Sequence, residues 1–355
     1  MRVLVTGGAG FVGANVSLGL ASRHEDWRVV AFDNLHRRGS ELNLPRLRSG
    51  GVEFVHGDVR DPEDVAGVGA VDAVVECSAE PSVLAGIDGG LDRLIKTNLL
   101  GAYTCLELCR RHDAQFIFLS TSRVYPVAQL HALAFEETET RFELLNEQAV
   151  PGASSLGISE AFPLDGPRTF YGTTKLAAEH LVAEYVETFG LRAVVDRCGV
   201  IAGPWQMGKV DQGIFAYWLL AHHFEKPLGY IGFGGSGKQV RDLIHVDDVL
   251  DLIDLQLGDS ERWRGVVANV GGGVECSLSL LELTALCREI TGKSVPVDAS
   301  GDERPGDIPS YVSDCSRLFG MTDWRPSADA QVILTDTHDW IVANERALGP
   351  ALGID

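Results

Sequence analysis

The chain begins MRVLVTGGAGFVG, and this junction limits its possible folds more than any other stretch of the 355 residues. RVLVT is a short continuous apolar run, as in a strand buried on both faces. Phe11 to His24 then carries the amphipathic pattern of a helix. Between them Gly7, Gly10 and Gly13 are spaced GxxGxxG. A strand that turns within a few residues into a helix packed back against it leaves no room for Cβ atoms, and glycine meets that demand.

The rhythm continues. WRVVAF, VEFVH, DAVVEC, QFIFLS and LRAVVDR read as further buried strands, with helical patterns at Leu91 to Arg111 and Tyr171 to Phe189. Alternation of this kind predicts an α/β fold with a doubly wound parallel sheet, a Rossmann architecture. After about Gly199 the pattern loosens into Gly-rich pieces, which predicts a smaller α/β substrate-binding domain. The expected division is 1–198 with 246–271 for the dinucleotide domain and 199–245 with 272–355 for the second. Residues 126–170 form a long insertion at the active site, of the kind that serves as a lid or binding loop.

In this fold a Gly-rich turn opening the first helix holds a pyrophosphate on the helix N-terminus. Asp33 lies twenty residues beyond Gly13 at the end of the second strand, where a carboxylate meets the adenosine ribose hydroxyls. It also repels a 2′-phosphate, which favours NAD over NADP, although Arg37 and Arg38 stand close by. Asp58, ending the third strand, is placed to meet the adenine amino group.

YGTTK puts Tyr171 and Lys175 four apart at the start of a helix, on one face. A phenol ionises near pH ~10, and lowering that by about 3 units requires ~4 kcal/mol of stabilisation of the phenolate. The Lys175 ammonium and an oxidised nicotinamide could supply it, making Tyr171 a general base towards a substrate hydroxyl. LSTSRVY, at the end of the QFIF strand, offers three hydroxyls followed by Arg123.

TGGAGFVG, STS and YxxxK together resemble the extended short-chain dehydrogenase/reductase family of NAD-dependent nucleotide-sugar epimerases and dehydratases, and RDLIHVDDV and NVGG continue the likeness. The resemblance implies that the residue four before Tyr125, Thr121, bonds the reacting hydroxyl, with Ser122 a second candidate. Dehydratases of the family carry an Asp–Glu pair where this chain has Ser122 and Arg123, and the related decarboxylases carry a glutamate at position 123. A guanidinium does not release its proton near neutrality, so elimination and decarboxylation are disfavoured. Thr121, Tyr171 and Lys175 suffice for oxidation and re-reduction at one carbon. EETETRFE, VDQG, GKQVRDLIHVDD and SLSLLEL are similar to the CDP-sugar 2-epimerases of the family, which implies inversion at C2 of a CDP-hexose through a 2-keto sugar. The alternatives are a 4-epimerase or dehydrogenase of UDP-, GDP- or dTDP-sugars and, last, a catalytically silent NAD-binding protein.

The same likeness extends the cofactor shell to Phe11, Val12, Asn34, Leu35, Arg37, Val59, Cys77, Ser78, Ala79, Asn98 and Cys198, besides Tyr171 and Lys175. It assigns Ser122, Arg123, Gln206, Asp211, Gln212, Arg241 and Arg304 to the substrate, with Arg241 and Arg304 on its pyrophosphate, since a guanidinium fork suits phosphate oxygens. Where the family has a His-Leu-Ala strand end, this chain has ECSAEPS, Glu76 to Ser82, which puts two carboxylates near the cofactor. His245 is expected to cap a helix. The family implies a homodimer through the helices around 91–111 and 171–189.

Fifty Asp and Glu against thirty Lys and Arg give a net charge of -20, a field that disfavours nucleic acid or an anionic membrane as partner. Seven scattered cysteines without metal-ligand spacing read as reduced thiols, and with no signal sequence the expected location is cytoplasmic.

Overall fold

A computed structural model describes residues 1–87, 89–208, 212–302 and 305–352. The chain divides into two compact units: Met1–Thr121, Phe170–Arg197 and Val249–Val267 make the first, and Ser122–Thr169, Cys198–Asp248 and Ala268–Asp355 the second.

The first unit is built on a sheet of seven strands among the described residues: β1 (Arg2–Thr6), β2 (Arg28–Asp33), β3 (Glu53–His56), β4 (Ala73–Glu76), β5 (Gln115–Thr121), β6 (Ala193–Cys198) and β7 (Val266–Val270), in the order β7-β6-β5-β4-β1-β2-β3. The β1–β2, β2–β3, β1–β4 and β4–β5 pairs are all parallel. Helices α1 (Phe11–Arg23), α2 (Gly101–His112), α3 (Phe170–Phe189) and α4 (Val246–Gly258) accompany it. The continuous apolar runs are what a sheet covered on both faces requires. Leu4, Val30, Phe32, Val74, Phe116 and Phe118 pack with Cys105 and Leu106 of α2 and Val182 and Tyr185 of α3 in one buried cluster. Strand order reverses at β1, whose neighbours are β2 and β4. A doubly wound sheet takes its ligand in the crevice at that switch point.

The pattern at Leu91 to Arg111, read as one helix, is three pieces: a short helix Leu91–Ile95, a π-helical turn Lys96–Leu100, and α2. Asn98 explains the widening. It is buried, and its carboxamide accepts from the Glu80 N–H at 2.8 Å and donates to the Glu80 carbonyl at 3.2 Å and to Thr174 Oγ1 at 3.2 Å.

In the second unit the strand Val240–His245 is central. It pairs in parallel with Val200–Ala202 and Ser310–Tyr311, and antiparallel with Ser277–Ser279. Helix Leu280–Thr291 begins in a capping box formed by Ser279 and Glu282. His245 Nδ1 accepts the Asp247 N–H at 3.1 Å, as a cap does. The segment read from sequence as an insertion in the first domain has its contacts here. Phe142 N–H donates to the Lys238 carbonyl at 2.9 Å, and Ile158 N–H to the Val312 carbonyl at 2.8 Å. Among the described residues no helix is long and apolar enough to cross a membrane.

Candidate active site

The Gly-rich loop lies at the switch point. Gly7 has φ +60°, and a Cβ there would stand 2.9 Å from the Cys77 carbonyl oxygen, where the chain leaves β4. A Cβ on Gly13 would fall 2.2 Å from the Gly7 carbonyl oxygen. Both glycines are therefore demanded by close backbone approach. Gly10 caps α1 without a side-chain hydrogen bond, and the first turn, with Phe11 and Val12, holds no acid. That leaves the N–H groups and positive dipole end of a 13-residue helix available to an anion. These features fit the pyrophosphate of a dinucleotide.

Asp33 closes β2 beside this loop. Its Oδ2 accepts the Ala9 N–H at 3.1 Å and its Oδ1 the Leu35 N–H at 2.7 Å. Burial pushes its carboxyl above the ordinary range, and the backbone donors oppose that. Leu35 adopts φ +53°, a left-handed conformation that a branched side chain reaches only when its surroundings impose it. Asp58 takes hydrogen bonds from Asn34 Nδ2 at 2.9 Å and from Arg60, whose guanidinium holds the carboxyl far below the usual range. Val59 and Ser78 are buried, Arg37, Cys77 and Ala79 half-buried, and Cys198 is buried at the end of β6.

Thr121, Tyr171 and Lys175 all belong to the first unit. Thr121 ends β5 and is buried, Tyr171 stands half-buried in the first turn of α3, and Lys175 lies one turn further on. The three hydroxyls of LSTSRVY separate in role. Ser120 Oγ donates to Glu179 on α3, and Arg197 of β6 donates to the same carboxylate, from Nε at 3.1 Å and Nη2 at 2.7 Å. All three side chains are buried. This knot fixes α3, and so the Tyr171–Lys175 face, to strands β5 and β6. Ser122 falls in a single 3₁₀ turn, Ser122–Val124, of the second unit.

Lys175 is 2% exposed, its Nζ 4.0 Å from the centroid of the Phe118 ring and 3.6 Å from Glu76 Oε2. Sequence reasoning placed carboxylates of ECSAEPS near the cofactor without giving Glu76 a role. The available signal was a glutamate closing an otherwise apolar strand, AVVE, beside the glycine loop's own strand.

The described substrate candidates lie in the second unit. Arg241 Nη2 donates to Asp307 Oδ1 at 2.8 Å, and Arg123 Nη1 to the Gly306 carbonyl at 3.1 Å, so two guanidinium groups converge on one two-residue stretch. Gln206 is buried with Nε2 donating to the Ile201 carbonyl at 2.8 Å, and Gln212 is half-buried. Asp211 and Arg304 lie outside the described residues.

Residues 3–271 match the model of the NAD dependent epimerase/dehydratase family. The CDP-paratose 2-epimerase of Salmonella typhi is 31% identical over 96% of this chain and 99% of its own. The dTDP-glucose 4,6-dehydratase of Mycolicibacterium smegmatis is also 31% identical, over 97% and 94%. The solved UDP-glucose 4-epimerase of Thermus thermophilus, in complex with NAD, is 28% identical with a TM-score of 0.75, over 96% of this chain and 99% of that one. A glycine cradle at the switch point, a carboxylate closing β2 beside it, the Tyr171–Lys175 face and a match across most of the chain lead to one conclusion: the protein belongs to the NAD-dependent epimerase/dehydratase family and takes NAD as its cofactor.

Proposed function

We propose that the protein is a nucleotide-sugar 2-epimerase, with a CDP-hexose as substrate, Tyr171 as the base, Lys175 as its electrostatic partner and Thr121 as the hydroxyl that orients the reacting group. NAD, which the glycine loop and the Asp33 corner would hold, would supply reversible hydride acceptance at the sugar carbon. Tyr171 takes the hydroxyl proton as the C2 carbonyl forms and gives it back as the carbonyl is reduced from its other face. Thr121 and the buried Lys175 hold that oxygen and the phenolate in register, and the Ser120–Glu179–Arg197 knot keeps α3 from drifting. The remaining cofactor-shell residues proposed are those of the glycine loop, the Asp33–Leu35 corner, Arg37, Asp58, Val59, Cys77, Ser78, Ala79, Asn98 and Cys198.

The observation that carries the reading is Arg123. The relatives include a 2-epimerase and a dehydratase at equal identity, and elimination of water needs an acid where this chain has a guanidinium donating to Gly306. Arg123 and Arg241 converge on the Gly306–Asp307 stretch, which suits a diphosphate that must stay anchored while the keto sugar presents its second face. Ser122, Gln206, Asp211, Gln212 and Arg304 complete the proposed substrate set. The exposed apolar side chains Ile95, Leu100 and Tyr103 around α2, and Phe170 and Phe189 of α3, support a homodimer through these helices. The location that suits such a substrate is the cytoplasm.

The test is reaction of the purified protein with CDP-hexoses in deuterated water, followed by NMR. Inversion at C2 is expected, with no solvent deuterium at that carbon and no accumulation of NADH. Tyr171→Phe should retain NAD and lose turnover. A product inverted at C4 from a UDP-sugar, or stoichiometric NADH, would replace the proposal with a 4-epimerase or a dehydrogenase.

A further inference from the structure

Glu76 has no task in this chemistry, yet its position is costly. It closes β4 after Ala73, Val74 and Val75, at 1% exposure; burial pushes its carboxyl above the ordinary range, and Lys175 and Ser78 oppose that. A carboxylate removed from water is retained only when something compensates it. The groups around it are few. Its register partners are Thr6 on β1 and Phe118 on β5. Cys77 and Ser78 follow it in the chain, and Cys105 of α2 is near enough that the Glu76 charge, after burial, helps raise its thiol's pKa. From α3 comes Lys175, with Nζ at 3.6 Å. Glu179, one turn along α3, is engaged by Arg197 and Ser120. Lys175 is thus the cation that compensates Glu76. An ammonium held between a carboxylate and an aromatic face has less field to offer elsewhere.

We propose that Glu76 is a positioning residue for the catalytic pair: its carboxylate shares the charge of the Lys175 ammonium, so the Tyr171 phenol ionises at a higher pH than it would beside an uncompensated lysine. The inference rests on the Tyr171–Lys175 assignment above, whereas its test needs no substrate. The shared charge also keeps Lys175 at one place on the α3 face, directed back to the strand end beside the glycine loop. The tyrosine therefore yields its proton less readily, unless the positive nicotinamide ring stands beside it.

The experiment is a near-ultraviolet titration of phenolate absorbance in the full chain with its retained NAD. Tyr171 is isolated as the difference between each protein and its Tyr171→Phe counterpart. Glu76→Gln keeps the size of the side chain and removes the charge, and the Tyr171 midpoint should fall by about one pH unit. The acidic limb of turnover should move the same way. Should Glu76→Gln not fold, Glu76→Asp withdraws the carboxylate by one methylene, and a smaller displacement of the same sign is expected. A midpoint unmoved or raised in a folded, NAD-retaining variant overturns the proposal. An active Glu76→Gln enzyme with an unmoved midpoint would do so while leaving the epimerase reading intact. A displaced midpoint in a chain that converts no nucleotide sugar would do the reverse.

Discussion

Asp196 is a carboxyl group in the middle of β6, 1% exposed. Its Oδ1 accepts from Gln256 Nε2 of α4 at 2.9 Å, and the Gln256 carbonyl accepts in turn from Gln115 Nε2 of β5 at 2.8 Å. Burial pushes its pKa up to about 7, and the Gln256 amide only partly opposes this. In the unfolded chain the group ionises at its ordinary value near 3.8. Folding therefore binds a proton between those values, and stability falls as pH rises from about 4 to about 7, then stays level for this group. A difference of about 3 units at ~1.4 kcal/mol each makes the full loss ~4 kcal/mol. Asp196→Asn retains an oxygen for Gln256 and has nothing to ionise. The variant should match the wild type near pH 4 and exceed it by up to ~4 kcal/mol at pH 8. Calorimetric melting of both proteins from pH 4.5 to 8.5 measures the gap, which at ~2–4 °C per kcal/mol amounts to several degrees. The chain's acidic excess acts on both proteins and nearly cancels in the difference. Melting curves that run parallel across the range would refute the buried-carboxyl account.

The knot beneath α3 and the glycine turn give two further expectations. Arg197→Met leaves the Glu179 carboxylate buried beside Ser120 without its cation and should cost ~3–5 kcal/mol, most of it recovered in Arg197→Met/Glu179→Gln; thermal melting of the two singles and the double reads this, and additive losses would count against a shared pair. Gly13→Ala drives a Cβ to 2.2 Å from the Gly7 carbonyl oxygen, and at ~1–3 kcal/mol of overpacking NAD should bind about tenfold more weakly or worse; calorimetric titration with NAD tests it, and unchanged affinity would show that the loop can yield.

The first unit was legible because its strands are continuous apolar runs ended by chemistry: RVLVT by glycines, RVVAFD by Asp33, QFIFLST by hydroxyls. Burial on both faces leaves little room for another reading. The second unit hid its order. Ala153–Ser154, Gly157–Ile158, Leu228–Tyr230 and Ser277–Ser279 are two or three residues each, too short for a period of two to register, and several are held by residues far along the chain. The break at Lys96–Leu100 was hidden for a related reason, since Asn98 answers to Glu80 and Thr174 rather than to its own helix. Glu76 was legible as a carboxylate near the cofactor, but nothing beside it in the sequence showed its partner. Only the return of α3, almost a hundred residues later, reveals that Lys175 covers it.

The structure also bears on which part of the chain speaks for the substrate. The strings that drew the sequence towards the CDP-sugar 2-epimerases, EETETRFE, GKQVRD and SLSLLEL, are bonded to one another in the second unit. Arg141 donates from Nε to Glu282 Oε1 at 2.9 Å and from Nη2 to the Ser277 carbonyl at 2.7 Å, Thr140 Oγ1 donates to the same glutamate at 2.8 Å, and Lys238 Nζ reaches Glu137 and the Thr138 carbonyl. Glu282 is at once the partner of Arg141 and the acid of a helix capping box. Residues so interlocked keep company for reasons of folding: changing one leaves the others with unpaired groups. Their likeness to a relative therefore reports a shared scaffold for the second unit. That returns the weight of the substrate question to the stretch where Arg123 and Arg241 meet Gly306 and Asp307. Under the proposed reading, a diphosphate arriving there would compete with the Asp307 carboxylate for the Arg241 fork, so its affinity would depend on how readily that ion pair opens.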